Sequence, residues 1–288
     1  MGLPLSRRVK SLYLRLEPQS DSSRSVLKLA GGTAGSQLIF ILASPILTRL
    51  YTPESFGLLA TFTAILALIN AVSSLRYELA IAVPEDDGEA KNLVWLCVVL
   101  VAISTGLTAL GVALLGYKQV VLINEAALTS LLWLLPIGVL LSGLYRPMTY
   151  WAIRRQQFGL LAKTKISQSI FGVATNLGVA PWGPIGLILG EIVRQSAGSI
   201  AIFHNSKEVL LRPVVTPKSL GQVIRRYSHF GKYSSPAGLI NIAGNQLPII
   251  ILASTFGPQL VGQLALAIRV LLVPAGLIGV SVSKVFLA

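Results

Sequence analysis

Charged residues are scarce in this sequence, and acidic residues are the scarcest of them. Of the 288 residues, 12% are charged, with 11 Asp and Glu against 24 Lys and Arg, whereas about a quarter of the residues in a soluble domain are charged. Hydrophobic residues make up 53% of the chain, and the mean hydropathy is +0.71. A water-exposed surface cannot be built from this mixture, so the composition predicts an integral membrane protein.

Residues that carry catalytic or metal chemistry are also few. Cys97 is the only cysteine, which excludes a disulfide framework and a pair of thiolate ligands. His204 and His229 stand far apart, without the clustered ligands of a metal or catalytic site. A Walker phosphate loop and a nucleophile elbow are both missing. We therefore expect no cofactor, no bound metal and no enzymatic activity.

The apolar residues fall in blocks of about 20, the length of helix that crosses roughly 30 Å of hydrocarbon. These blocks predict an all-α integral membrane fold, a polytopic helical bundle. The candidate spans cover about 29–50, 56–83, 92–116, 127–150, 164–182, 184–203, 233–256 and 259–284. The first span is too long for the apolar core of a signal peptide, so we interpret it as an uncleaved first helix.

Basic residues gather in three segments that the predicted spans place on one side of the bundle. These segments are the N-terminal 28 residues, the region around 154–165 and the loop 204–232. Loops rich in Lys and Arg mark the cytoplasmic side and attract anionic lipid headgroups. We therefore expect a cytoplasmic N-terminus and contact with membrane lipid. No basic run is interleaved with stacking aromatics, so nucleic acid is not an expected partner.

An internal repeat links the two ends of the chain. Gly35-Ser-Gln-Leu38 recurs as Gly244-Asn-Gln-Leu247, and the spacing of Pro53 and Gly57 recurs in Pro258 and Gly262. Both copies enter the membrane in the same direction, as in the parallel repeats that form the two lobes of many transporters.

The repeat divides the chain into four parts. They are a cytoplasmic basic segment 1–28, a six-helix transmembrane lobe 29–203, a cytoplasmic basic inter-lobe loop 204–232 and the first two helices of a second, parallel-repeat lobe, 233–288. On this logic we expect the chain to be truncated after about eight helices, from a protein of roughly 410 residues.

Several motifs carry a resemblance to a known family. They are LTRLYTPESFG at 47–57, SLRYELA at 74–80, WAIRRQQF at 151–158, FGP at 256–258 and AIRVLLVP at 267–274. The chain resembles the polysaccharide and oligosaccharide flippases, also called lipopolysaccharide biosynthesis proteins or O-antigen-type translocases, of the multidrug/oligosaccharidyl-lipid/polysaccharide exporter superfamily. It departs from them by stopping at Ala288, within the second lobe.

The resemblance implies a fold, a substrate and partners. Such proteins are expected to have two six-helix lobes around a cavity that opens alternately to each side of the bacterial inner membrane. The expected substrate is an undecaprenyl-pyrophosphate-linked oligosaccharide. A polysaccharide polymerase or another assembly protein is an expected partner.

Charged residues inside spans are the candidate substrate contacts, because each costs about 2.5–3.5 kcal/mol unless it has a partner or a cavity. We hypothesise that Arg76 and Arg269, from opposite lobes, bind the pyrophosphate, with Arg146 and Glu78 as further candidates. Snorkelling to the surface is the alternative for the arginines. Glu78 is expected either to pair across helices or to respond to protons.

Other polar and special residues have structural interpretations. Glu191 and Arg194 are spaced for an intrahelical ion pair. Arg49 and Glu54 bracket Thr52-Pro53, which predicts a turn and the start of a helix. The structural motif therefore comprises Arg49, Pro53, Gly57, Pro258 and Gly262.

Three alternative functions remain open. A cation-coupled drug exporter of the same superfamily would need a buried acid in the first span, which has no Asp or Glu. A membrane glycosyltransferase or polymerase would need a sizeable outer loop, and the predicted outer loops are short. A non-transporting assembly partner of polysaccharide enzymes is the third.

Overall fold

A computed structural model describes residues 21–117, 131–205 and 217–286. Within these ranges the chain is helical and contains no strand, as the apolar blocks predict. The helices are α1 (Asp21–Leu50), α2 (Pro53–Val72), α3 (Asp87–Tyr117), α4 (Leu135–Arg154), α5 (Phe158–Gly178), α6 (Pro184–Asn205), α7 (Pro217–Arg226) and α8 (Ser235–Phe286). Short 3₁₀ turns at Tyr77–Ala82, Leu132–Leu134 and Ala180–Trp182 and a π turn at Phe230–Ser234 join them.

Four of the described segments are long and apolar enough to cross a membrane by length and composition. They are Lys28–Leu50, Pro53–Val72, Asp87–Leu114 and Phe230–Ile268. Helices α4, α5 and α6, of 20, 21 and 22 residues, pack among them and carry more polar side chains. The protein is therefore an all-α polytopic membrane protein.

The second predicted span, 56–83, is wrong in its extent. Helix α2 ends at Val72, and the chain turns through Leu75 and Arg76, whose φ angles are 49° and 61°. Left-handed backbone of this kind ends an α-helix, because it reverses the direction in which the next peptide groups point. A separate 3₁₀ turn, Tyr77–Ala82, then runs to the loop before α3.

The segments 1–28 and 204–232, which were predicted to be cytoplasmic and non-helical, contain helical residues. Helix α1 begins at Asp21, inside the predicted segment 1–28. The predicted loop 204–232 contains α7, Pro217–Arg226. Helix α7 is held to the first lobe because Val223 and Tyr227 are buried in the apolar cluster that also contains Leu93 and Trp151.

Helix α8 consists of two helical segments that meet at Gly257. Gly257 has φ 78° and ψ 168°, a conformation that glycine adopts freely and other residues avoid. The prediction of a turn at Gly257-Pro258 between two spans is therefore confirmed. The break directs the segment after Gly257 back along α2.

Helix α2 crosses α8 at a close and reciprocal contact. A β-carbon on Gly57 would lie 1.7 Å from the Pro258 carbonyl oxygen, and one on Gly262 would lie 1.7 Å from the Pro53 carbonyl oxygen. Each glycine of the repeated Pro-x3-Gly pattern thus meets the proline of the other copy. Two equivalent helices related by a two-fold axis give this reciprocity, and the absent side chains let the two backbones touch.

Helices α1, α5 and α6 form a second closely packed group. Gly32 of α1 lies against Ala162 of α5, where a β-carbon would be 2.6 Å from the Ala162 Cα. Gly190 of α6 leaves room for the side chain of Asn176 on α5. This group and the α2–α8 pair face each other, and the space between them holds the candidate site.

Candidate functional site

A cavity of about 520 Å³ lies between helices α1, α2, α5, α6 and α8. Its walls combine apolar residues such as Phe40 and Leu266 with many polar side chains. The polar residues are Thr33, Ser36 and Gln37 of α1, Thr63 of α2, Lys165 and Gln168 of α5, and Glu191 and Arg194 of α6. The cavity is therefore lined mainly by the first lobe, with α8 contributing the apolar residues Ala265 and Leu266.

Glu191 and Arg194 form the predicted intrahelical ion pair, and the pair faces this cavity. Arg194 Nε donates to Glu191 Oε2 at 2.7 Å, and Arg194 Nη2 donates to Glu191 Oε1. Gln195 Nε2 donates to Glu191 Oε1 at 2.8 Å. The carboxylate thus receives a two-pronged guanidinium and an amide, the arrangement in which charge-assisted hydrogen bonds are strongest.

The position of Arg194 follows from its neighbours on two other helices. A β-carbon on Gly172 of α5 would lie 2.8 Å from the Arg194 Cβ, so a glycine is needed for α6 to bring this arginine so near α5. The Arg194 guanidinium carbon lies 5.7 Å from the centre of the Phe40 ring on α1. A guanidinium over an aromatic face is held by a cation–π attraction.

Lys165 adds a second cation to the cavity wall. Its Nζ lies 5.8 Å from the centre of the Tyr145 ring on α4. Nearby on the same helix, Gln168 Nε2 donates to the Gln195 backbone carbonyl at 3.5 Å. Two cations and one carboxylate among the described lining residues give the cavity a net positive charge. Such a cavity suits a ligand that carries an anionic group next to hydroxyl groups.

Three of the sequence-predicted candidates lie together, away from this cavity. Glu78 is buried at 4% exposure and accepts a short hydrogen bond from the Ser74 hydroxyl. Arg146 Nη1 donates to the Asn70 carbonyl at 2.8 Å and interacts electrostatically with Glu78 and Arg76. None of these three residues is among those that line the cavity, so their role in substrate binding stays a prediction.

Arg76 lies at a contact with helix α8. Its guanidinium rests on Gly238 of α8, where a β-carbon would be 2.3 Å from Nη2. The Nε atom is buried without a hydrogen-bond partner among the described residues. The sequence predicted Arg76 inside a transmembrane span, whereas the structure places it in the turn after α2, and its contact with α8 was not predicted.

The fourth candidate, Arg269, is in α8, but its side chain lies outside the part of the chain whose side chains are described. Its backbone is four residues beyond Ala265, a cavity-lining residue on the same helix. The proposed role of Arg269 stays a prediction.

The turn between α1 and α2 has the predicted structural character. Thr52 is the N-cap of α2, and its side-chain oxygen accepts a hydrogen bond from the Ser55 N–H at 3.3 Å. Pro53 is in the first turn, where its missing N–H costs nothing. Glu54 lies in the first turn and Arg49 in the last turn of α1, and both side chains are exposed.

Sequence reasoning missed a charged network at the end of the bundle that carries the basic segments. Asp87 pairs with both Arg154 and Arg155 at 3.0 Å, and Glu89 pairs with Arg226 at 3.0 Å. The signal was present in the sequence, because the acidic residues of 85–89 lie between the predicted spans 56–83 and 92–116, an even number of crossings after the basic N-terminal segment. Within residues 21–117, 131–205 and 217–286, no group of three His, Cys, Asp or Glu residues is placed to hold a metal ion.

The fold and the cavity define a class: a polytopic α-helical membrane protein with a polar, net positive cavity between two packed helix groups. The sequence pattern of the polysaccharide biosynthesis protein family matches residues 46–288. The chain belongs to this family and has a role in polysaccharide biosynthesis. No curated protein and no solved structure matches the chain.

Proposed function

We propose that this protein translocates a lipid-pyrophosphate-linked oligosaccharide across the bacterial inner membrane by alternating access. The observation that supports the proposal most is the cavity of about 520 Å³ with Lys165 and Arg194 in its wall. Its volume falls within the roughly 300–1,000 Å³ of typical ligand sites. A family role in polysaccharide biosynthesis makes a sugar-bearing lipid the fitting cargo.

The chemistry of the lining matches the two polar parts of such a substrate, the pyrophosphate and the sugar. A pyrophosphate must lose water to cross the membrane, and ammonium and guanidinium donors replace that hydration. The side chains of Gln37, Gln168 and Thr63 offer hydrogen bonds to sugar hydroxyls. The polyprenyl chain stays in the bilayer, where it needs no polar partner.

Orientation and partners follow from the same proposal. The charged network of Arg154, Asp87 and Arg226 lies at the end of the bundle that carries the basic segments, which we assign to the cytoplasm. The α2–α8 crossing at Gly57 and Gly262 then lies at the opposite, periplasmic end. A polysaccharide polymerase or another assembly protein would receive the cargo there.

A drug-exporting function is less favoured by the cavity. Exporters of cationic drugs need unpaired acidic groups, and here the carboxylate of Glu191 is bound by Arg194. The net charge of the described lining is positive, so an organic cation would be repelled.

The proposal is tested by reconstituting the protein in liposomes with a fluorescent undecaprenyl-pyrophosphate-linked oligosaccharide. Flipping is measured as the rate at which the label becomes accessible to a membrane-impermeant quencher. We expect Lys165→Gln to lower the rate about tenfold, because a charge-assisted contact to phosphate is worth roughly 1.5–3 kcal/mol.

Lys163→Gln is the matched control, because Lys163 precedes Lys165 by two residues and is exposed outside the cavity. It should flip the substrate at the unsubstituted rate. Absence of flipping by the unsubstituted protein, or equal rates for Lys165→Gln and the unsubstituted protein, would contradict the proposal.

A further inference from the structure

The carboxylate of Glu191 occupies the Nε–Nη2 edge of Arg194, one of the two edges at which a guanidinium binds a phosphate. Two guanidinium nitrogens, Nε and Nη2, donate to its two oxygens, one each. The Arg194 side chain is 36% exposed and the Glu191 side chain 15%, so the arginine is the more accessible of the two in the cavity. Incoming anions therefore meet a guanidinium with two of its nitrogens already bound to an oxyanion.

Carboxylate and phosphate compete for a guanidinium by the same geometry. Both present two oxygens at a spacing that accepts two parallel N–H donors. A pyrophosphate carries more negative charge than a carboxylate, and Lys165 on the same cavity wall favours the larger charge. The exchange thus has a driving force that a neutral ligand lacks.

We infer that Glu191 is an internal competitor for the substrate's anionic group: a phosphate of the substrate displaces its carboxylate from Arg194. This inference rests on the proposed function, since it specifies how the same cavity takes up its cargo. Glu191 is a positioning residue, because it keeps the guanidinium directed into the cavity until the exchange occurs.

The exchange has a consequence for protons. When the carboxylate loses the Arg194 cation it keeps the neutral amide donor of Gln195, and a bound phosphate beside it then destabilises its charged form. Glu191 then takes up one proton from the aqueous phase, and its carboxyl group becomes neutral. When the substrate leaves, the proton is released and the Glu191–Arg194 pair forms again.

The groups that face Glu191 fix the number of protons expected. Among the described residues of the cavity wall, the other charged groups are Arg194 and Lys165, and both stay protonated near neutral pH. Helices α1 and α2 contribute Thr33, Ser36, Gln37 and Thr63 to the wall, and α8 contributes Ala265 and Leu266, none of which titrates. Among the described lining residues, Glu191 is therefore the group that the exchange protonates.

Farnesyl pyrophosphate is a suitable probe, because it carries the lipid pyrophosphate without the sugar. Binding to the full chain in detergent is measured by titration calorimetry in two buffers of different ionisation enthalpy, which gives the number of protons exchanged. We expect the unsubstituted protein to take up about one proton more per bound ligand than Glu191→Gln. The Gln variant should bind at least as tightly, because the competitor is gone.

Two further variants separate the exchange from a loss of folding. Glu191→Asp keeps a carboxylate and should keep the proton uptake, and Glu54→Gln, which changes an exposed acid at the start of α2, should behave like the unsubstituted protein. Gel filtration confirms that each variant is folded.

Equal proton uptake by the unsubstituted protein and Glu191→Gln would overturn the inference, as would weaker binding by folded Glu191→Gln. Binding without this difference leaves the proposed function standing and removes only the exchange. Failure of the unsubstituted protein to bind farnesyl pyrophosphate would overturn the proposed function and the inference with it.

Discussion

Arg154 is the residue that ties the loop before α3 to helix α4. Its Nη2 donates to Asp87 Oδ1 and to the Glu85 carbonyl, both at 3.0 Å, and its Nη1 donates to the Pro84 carbonyl. The side chain is 12% exposed. Arg155 pairs with the same aspartate at the same distance, but its side chain is 40% exposed and its contact to Asp87 is open to water.

We predict that Arg154→Gln destabilises the protein far more than Arg155→Gln does. Removing Arg154 leaves the part-buried Pro84 carbonyl without its donor, a loss of about 1–3 kcal/mol. Removing Arg155 breaks an exposed ion pair, which contributes at most about 1 kcal/mol. Thermal unfolding in detergent measures both variants, and equal melting temperatures would show that Arg154 has no special role.

Asp86 gives the start of α3 a dependence on pH. Hydrogen bonds from the backbone N–H groups of Gly88 and Glu89 hold the pKa of Asp86 below its ordinary value. A lowered pKa means that the folded state favours the charged form, so this stabilisation is present above the ordinary pKa and is lost as pH falls through the lowered one. We expect hydrogen exchange at the first turn of α3, corrected for intrinsic rates, to rise in that window.

Asp86→Asn is the control for this pH dependence. Asparagine keeps the capping oxygen but does not titrate. Its exchange at Gly88 and Glu89 should not change across the acidic window, and a rise equal to that of the unsubstituted protein would assign the effect to another group.

At the residue scale, the sequence predicted an ion pair within one helix but not which charged side chains line the cavity. The Glu191–Arg194 pair is confirmed, because a spacing of three on a helix determines it. The position of Lys165 in the cavity wall was not predicted, because the sequence analysis treated this lysine only as part of a basic segment. Which side of a helix faces a cavity depends on how five helices pack, and a single-helix pattern does not contain that information.

At the element scale, the crossing of α2 and α8 depends on two glycines that have no room for a side chain. The Pro53 and Pro258 carbonyl oxygens occupy the positions of the absent β-carbons. Such contacts allow Cα–H···O hydrogen bonds between helix backbones. The repeated Pro-x3-Gly pattern predicted that Pro53 and Gly57 are equivalent to Pro258 and Gly262. The structure shows that these two copies of the pattern are in contact.

We predict that Gly57→Ala separates α2 from α8. The added methyl group collides with a backbone carbonyl that cannot rotate away, so the cost is about 1–3 kcal/mol or more. Gly31→Ala is the matched control, because a β-carbon at Gly31 meets nothing within 4 Å and alanine favours helix by about 1 kcal/mol. A melting temperature of Gly57→Ala at or above that of Gly31→Ala would contradict the crossing.

The ends of the elements were harder to predict than their existence. The end of α2 at Val72 carries no glycine or proline signal, and the left-handed residues there are Leu75 and Arg76. Contacts with α4 and α8 stabilise this turn. Because the local sequence contains no signal for it, the sequence alone predicts that the transmembrane span continues. The break at Gly257-Pro258, by contrast, carries both signals and was predicted correctly.

At the scale of the whole molecule, helices α4, α5 and α6 and the turn after α2 hold two separate sets of half-buried cations. One set, Arg194 and Lys165, lines the cavity. The other, Arg76 and Arg146, lies with Glu78 at the ends of α2 and α4 nearer the basic segments. The count of charges could not choose between the two sets, because each set contains arginines inside predicted spans.

The most direct measurement is a structure of the native protein bound to undecaprenyl pyrophosphate, determined by single-particle cryo-electron microscopy. We predict that the pyrophosphate lies in the cavity, with its oxygens within hydrogen-bond distance of Arg194 and Lys165 and with Glu191 turned away from Arg194. A pyrophosphate bound instead at Arg76 and Arg146, with the Glu191–Arg194 pair intact, would contradict the account.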